Sequence, residues 1–232
     1  LKRSPFHLLD NLQKGDLYFA HLKQDKKETL KAHTELVMKY FLQIVENNGL
    51  ESIIDNLITK EVINLYSVEK IEIQNFIKLL FAASVYFHDF GKINPNFQRE
   101  KMNNQSFPLV INGIGSDHSI LSFYLYLAYF IKYILKTSLE QIEKNFLITY
   151  AFIFSHSIYK HHSSLDDVFN VQINDILLDN LFYYYQCFKG VDFLEKDKLK
   201  NVLKNADKFG YFKKDKFETT VGLIILKLNS SL

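Results

Sequence analysis

With a single cysteine, Cys187, in 232 residues, the chain can build neither a disulfide scaffold nor a cysteine-ligated zinc site, which suits a reducing cytosol. Proline and glycine are scarce too, with 3 and 8 residues against a hydrophobic content of 47% and an aromatic content of 15%. That balance excludes a disordered chain and points to a folded, helix-leaning one, long enough to bury a sizeable core. Apolar runs of membrane-spanning length are missing. The most membrane-like stretch, Ile120 to Ile131, is roughly a dozen residues where a span needs roughly 20, and His118 and Lys132 flank it. It reads as a buried helix, and no membrane partner is expected. Leu1 to Asn11 is charged and mixed and does not read as a secretory leader, so a cytoplasmic location is expected. The chain opens on Leu rather than Met, as a trimmed chain or a piece of a longer one would. A formal charge of +2 does not announce a nucleic-acid binder, and any charged groove must be local. No G-x-x-x-x-G-K-[ST] phosphate loop occurs, so the chain is not itself an ATP-driven motor.

What is present is helical periodicity. A helix is expected after Asp25, with Glu28 completing a capping-box-like pair and Leu30, His33, Val37, Phe41 and Ile44 recurring at helical spacing. Leu50 to Tyr66 reads as a second, structural, amphipathic segment. Phe76 to Phe87 is apolar on nearly every side, as in a buried central helix, and turns abruptly polar at His88-Asp89. Gly91 suits a left-handed position past that helix end, and Asn94-Pro95 offers an N-cap with proline at the first helical position. An irregular loop follows from Met102 to Ser116. Ser116 or Asp117 then caps a helix carrying His118 in its first turn. A helix from about Leu139 to Lys160 has the stripe Leu147, Tyr150, Ala151, Phe154 and Ile158, which continues to His161, with His162 next. His156 falls off that stripe and reads as a surface or supporting residue. Asp175 to Phe188 and Glu195 to Phe209 close the series. The first holds Tyr183, Tyr184 and Tyr185, and the second carries Asp207 beside its apolar face amid many lysines. No period-2 strand series, repeat or break in composition appears. The economical reading is all-α, one domain over 1–232, with its core at about 21–210 and a last helix at 217–229.

His33, His88, Asp89, His118, His161, His162 and Asp207 all lie at helix ends or on apolar stripes, and they come from five helices. Mixed imidazole and carboxylate ligands suit Mn, Fe, Ni, Co or Zn better than Ca. Seven candidates exceed the roughly four protein ligands of one site, so two ions bridged by Asp89 are expected, of the kind that activate water for attack on a phosphoester.

In this order the residues resemble the HD superfamily of metal-dependent phosphohydrolases: His33, then the doublet His88-Asp89, then a distant Asp207. The likeness is stronger to the HD nuclease of type I CRISPR interference. It rests on His88-Asp89-Phe90-Gly91-Lys92 with Asn96-Phe97-Gln98, on Glu28-Thr29-Leu30 ahead of His33, on Asp117-His118-Ser119, on His161-His162 and on Ala206-Asp207. It runs from about His21 to Gly210. The resemblance implies an all-α HD domain with two divalent ions, drawn from Mn, Ni, Fe, Co or Mg. One ion would be held by His33, His88, Asp89 and Asp207, and the other by Asp89, His118, His161 and His162. Lys92 would contact phosphate or the attacking water. The substrate implied is single-stranded DNA, with RNA as a further candidate. The partners implied are a CRISPR helicase, in cis or in trans, and the CRISPR surveillance complex. Where relatives often have Gly after the histidine pair, this chain has Ser163-Ser164. The same residues also fit an HD nucleotidase or cyclic-nucleotide phosphodiesterase acting on a small substrate. The non-enzymatic reading is a helical scaffold with core histidines.

Overall fold

A computed structural model describes residues 7–23, 26–67, 69–162 and 174–208, except for the side chains of the last two. Eight α-helices are found among the described residues: α1 Leu30–Asn47, α2 Leu50–Tyr66, α3 Ile71–Phe87, α4 Pro95–Glu100, α5 Ser119–Leu135, α6 Gln141–Lys160, α7 Asp175–Tyr185 and α8 Lys196–Lys208. The architecture is all-α, as its periodicity predicts. The segment 217–229 lies outside the described residues.

The core forms around α5, which packs most extensively on α6, with α3 against both. Leu121, Leu125, Tyr126, Leu127 and Ile131 of α5 are fully buried, as are Ile73, Ile77, Leu80 and Phe87 of α3. Both helices are apolar around most of their circumference because both are enclosed. At 25 cal/mol per Å² of apolar surface, each such side chain contributes about 1.5–3 kcal/mol. No helix among the described residues is long and apolar enough to cross a membrane.

Three elements differ from the sequence reading. The segment after Asp25 starts as a strand rather than a helix: β1 Phe19–Lys23 and β2 Lys26–Thr29 form an antiparallel hairpin. Helix α1 begins only at Leu30, where the Thr29 hydroxyl accepts from the amide of Ala32. The hairpin holds because Gln98 clamps it, accepting from the Phe19 amide at 3.0 Å and donating to the Phe19 carbonyl at 2.8 Å. Two strands alone are marginal in water, so this external clamp is part of their stability. Helix α2 spans the predicted residues yet fully buries only Val62, leaving Ile53 and Leu57 exposed. Helix α7 stops at Tyr185, short of the expected Phe188, and of its three tyrosines Tyr184 is buried while Tyr183 faces solvent.

Candidate metal centre

Helix α3 ends at Phe87, and the chain leaves helical geometry at Asp89, with φ −108° and ψ 4°, before a 3-10 turn at Phe90–Ile93. This departure turns the Asp89 carboxylate inward, where it is 3% exposed. Gly91 does not take the left-handed conformation expected of it. Its role is steric: the 3-10 turn lies so close to the start of α5 that a Cβ on Gly91 would meet the His118 carbonyl. The Gly91 amide also donates to the Ser122 hydroxyl at 2.7 Å. His118 caps α5 rather than occupying its first turn, and the Asp117 carboxylate accepts from the Ser119 amide. Asn94 is the N-cap predicted for α4. Its side chain also donates to the carbonyls of Gly115 and Asp117, holding the irregular loop against the turn.

Around Asp89 the ring nitrogens divide into two groups. Oδ2 lies 3.0 Å from His33 Nε2 and 3.2 Å from His88 Nε2. Oδ1 lies 3.2 Å from His118 Nε2 and 3.4 Å from His161 Nε2. His118 Nε2 is in turn 3.0 Å from His162 Nε2 and 3.3 Å from His161 Nε2. Supporting acceptors orient the rings: Nδ1 of His88 lies 2.7 Å from the Val85 carbonyl, and Nδ1 of His161 lies 2.6 Å from the Ile158 carbonyl. An Nδ1–H donated to these carbonyls leaves each Nε2 lone pair facing the centre, as metal-ligating histidines require.

These donors fit a cation. Asp89 Oδ1 is buried without a well-aligned hydrogen bond among the described residues. His118 Nε2 faces two other ring nitrogens and a carboxylate oxygen at once, and one proton cannot serve all three contacts. Bonds of about 2.0–2.1 Å to one ion would set neighbouring ligand atoms roughly 3.3 Å apart, close to the spacing found. Asp89, His118, His161 and His162 could therefore hold a metal ion, and His33, His88 and Asp89 form a second convergent group.

The electrostatics agree. Burial works to raise the Asp89 carboxyl, but the imidazoles of His118, His161, His33 and His88 overcome it and hold the group well below the usual carboxylate range. His118 is pushed below the ordinary histidine value by burial, with Asp89 opposing. His162 is lowered by burial and by its histidine neighbours His161 and His118. Neutral imidazoles and an ionised carboxylate are the protonation states that bind metal.

Lys92, 4% exposed, places Nζ 2.8 Å from Asp89 Oδ2 and donates to the Ala20 carbonyl at 3.2 Å. Lys92 thus links Asp89 to the hairpin. Asp207 lies in the last turn of α8, and its side chain falls outside the described residues, as do Ser163 and Ser164. His156 does not join the cluster. Two residues escaped the ligand set read from the sequence, His21 and Glu28. Glu28 Oε2 lies 3.2 Å from His33 Nδ1, and the His21 and His33 rings are 4.5 Å apart. Their signal is the hairpin register, which pairs His21 with Glu28 and is hidden when the segment after Asp25 is read as helical.

Comparisons with known protein families, with curated proteins and with solved structures return no match for this chain.

Proposed function

We propose that the chain is a metal-dependent phosphodiesterase of the HD type that cleaves single-stranded DNA. The observation that supports it is the division of one carboxylate, with Asp89 Oδ2 turned to His33 and His88 and Oδ1 turned to His118 and His161. A bridging carboxylate with imidazoles on both flanks suits two adjacent divalent cations, drawn from Mn, Ni, Fe, Co or Mg. When bound, such a pair supplies an activated water and stabilises the attacking and leaving oxygens of a phosphoester. The protein's own share is to hold Asp89 ionised, to hold His118 and His162 below the ordinary histidine value, to orient the rings of His88 and His161, and to keep Lys92 at Oδ2. The order of these residues carries the resemblance to CRISPR HD nucleases. A CRISPR helicase and surveillance complex are accordingly the partners proposed, and a cytoplasmic location goes with them.

The test is incubation of the purified chain with Mn, Ni or Mg on single-stranded DNA and on a panel of mononucleotides and cyclic nucleotides. Metal-dependent cleavage of the DNA, lost in Asp89→Ala, is expected. Cleavage of the panel but never of DNA would transfer the reading to the nucleotidase class.

A further inference from the structure

Beyond the inner cluster, the hairpin brings a second set of ligand atoms to the outer side of His33. His21 and Glu28 are cross-strand partners in the β1–β2 register. Direct partners in an antiparallel pair project to the same face, within about 4.5–5.5 Å at Cβ. On that face His21 meets the His33 ring edge-on with centroids 4.5 Å apart, and Glu28 Oε2 stands 3.2 Å from His33 Nδ1. One ligand atom from each of the three residues lies within 4.8 Å of the others. Two imidazoles and a carboxylate are a common donor set for zinc.

His33 is the wall between the two regions. Its Nε2 faces Asp89 Oδ2 at 3.0 Å, while Nδ1 faces Glu28 at 3.2 Å. A neutral imidazole has one N–H and one lone pair. It can ligate inward through Nε2 and donate from Nδ1 to Glu28, or ligate outward through Nδ1 and donate from Nε2 to Asp89. It cannot do both while it keeps its proton. A carboxylate alone would suffice to orient His33 for the inner cluster. The added imidazole of His21, exposed on the hairpin, is a ligand that this orienting role does not need.

We propose that His21, Glu28 and His33 form an outer cation site, of zinc type, that competes with the inner cluster for His33. The competition, though not the outer site itself, rests on the inner residues being ligands. Filling the outer site withdraws His33 from Asp89 and weakens the inner ion beside it, and by linkage a filled inner site weakens the outer one by the same factor. Because His21 is exposed, the outer ion exchanges with solvent and senses free metal.

The experiment is equilibrium dialysis of the full chain against rising zinc, with bound metal counted, repeated with cobalt to read ligand-field absorption, on His21→Ala, Glu28→Gln and Asp89→Asn. Circular dichroism establishes that each variant is folded. The wild type should show one weaker equivalent that disappears in both His21→Ala and Glu28→Gln. Its filling should lower inner affinity severalfold, an effect absent from His21→Ala. Asp89→Asn should lose inner metal and keep the outer equivalent. If His21→Ala retains every equivalent at wild-type affinity, the outer site does not exist. If Glu28→Gln weakens the inner equivalents while His21→Ala changes nothing, Glu28 only orients His33 and the proposal is overturned. If Asp89→Asn keeps all its metal while His21→Ala loses one equivalent, the outer site stands and the inner reading is the one that fails.

Discussion

A Cβ on Gly91 would sit 1.9 Å from the carbonyl oxygen of His118, so glycine is what lets the end of the α3 connection touch the start of α5. That contact places Asp89 and His118 side by side although 28 other residues separate them in the chain.

Gly91→Ala should therefore lose stability and metal together. The overlap is with backbone, which cannot swing aside, and a cost of about 3 kcal/mol or more is expected. Gly15→Ala is the control, since its Cβ would meet nothing nearer than 3.9 Å. Chemical denaturation and metal analysis of the two variants check this. A Gly91→Ala protein with wild-type stability and metal content would refute the steric argument.

Lys92→Met should be destabilised chiefly without metal. Breaking a buried ion pair costs about 3–5 kcal/mol because the remaining charge is uncompensated. A divalent cation at Asp89 supplies that compensation, so added Mn should return much of the lost stability. Thermal denaturation with and without Mn reads the difference. An equal deficit in both conditions would mean that no cation sits at Asp89.

His33→Ala and His162→Ala should act on different ions, since one approaches Oδ2 and the other stands beside His118 on the Oδ1 side. Each should lower metal affinity about 10-fold or more without abolishing the other group's binding. Isothermal titration of the single and double variants tests this. Loss of all metal from either single variant would point to one indivisible site.

His156 predicts a pH dependence away from the cluster. Burial, aided by Lys160, lowers its pKa from 6.5 to about 4. The unfolded chain takes up this proton first, so the stability is intact above about pH 6.5 and is lost as pH falls toward 4. The ring is only partly buried, and solvent screening trims the effect to about 1–2 kcal/mol. His156→Gln should lose less stability than the wild type between pH 7 and pH 4.5 in urea denaturation. Parallel curves would refute the assignment.

Much of the fold was legible because its helices follow local rules. The apolar run ending at Phe87, the Asn94-Pro95 start of α4 and the stripe from Leu147 to Ile158 are read within a few residues of chain, where periodicity and capping act. The hairpin was not legible, since Phe19 to Thr29 lacks alternation and is clamped from outside by Gln98. Helix α2 spans the residues its pattern marks, but no pattern within a helix says how much of its apolar face a neighbour covers.

The site divides in the same way. The sequence alone determined which residues have the chemistry of ligands, and that His33, His88, Asp89, His118, His161 and His162 stand at helix ends or on inward stripes. Only the tertiary structure decided that Oδ2 and Oδ1 of Asp89 face different histidines, that Lys92 stands at Asp89 Oδ2, and that His21 and Glu28 stand behind His33. The physical reason is range. Periodicity and capping act over one or two helical turns, whereas the orientation of a carboxylate among rings from α1, α3, α5 and α6 is set by packing between segments far apart in the chain, down to the missing Cβ of Gly91.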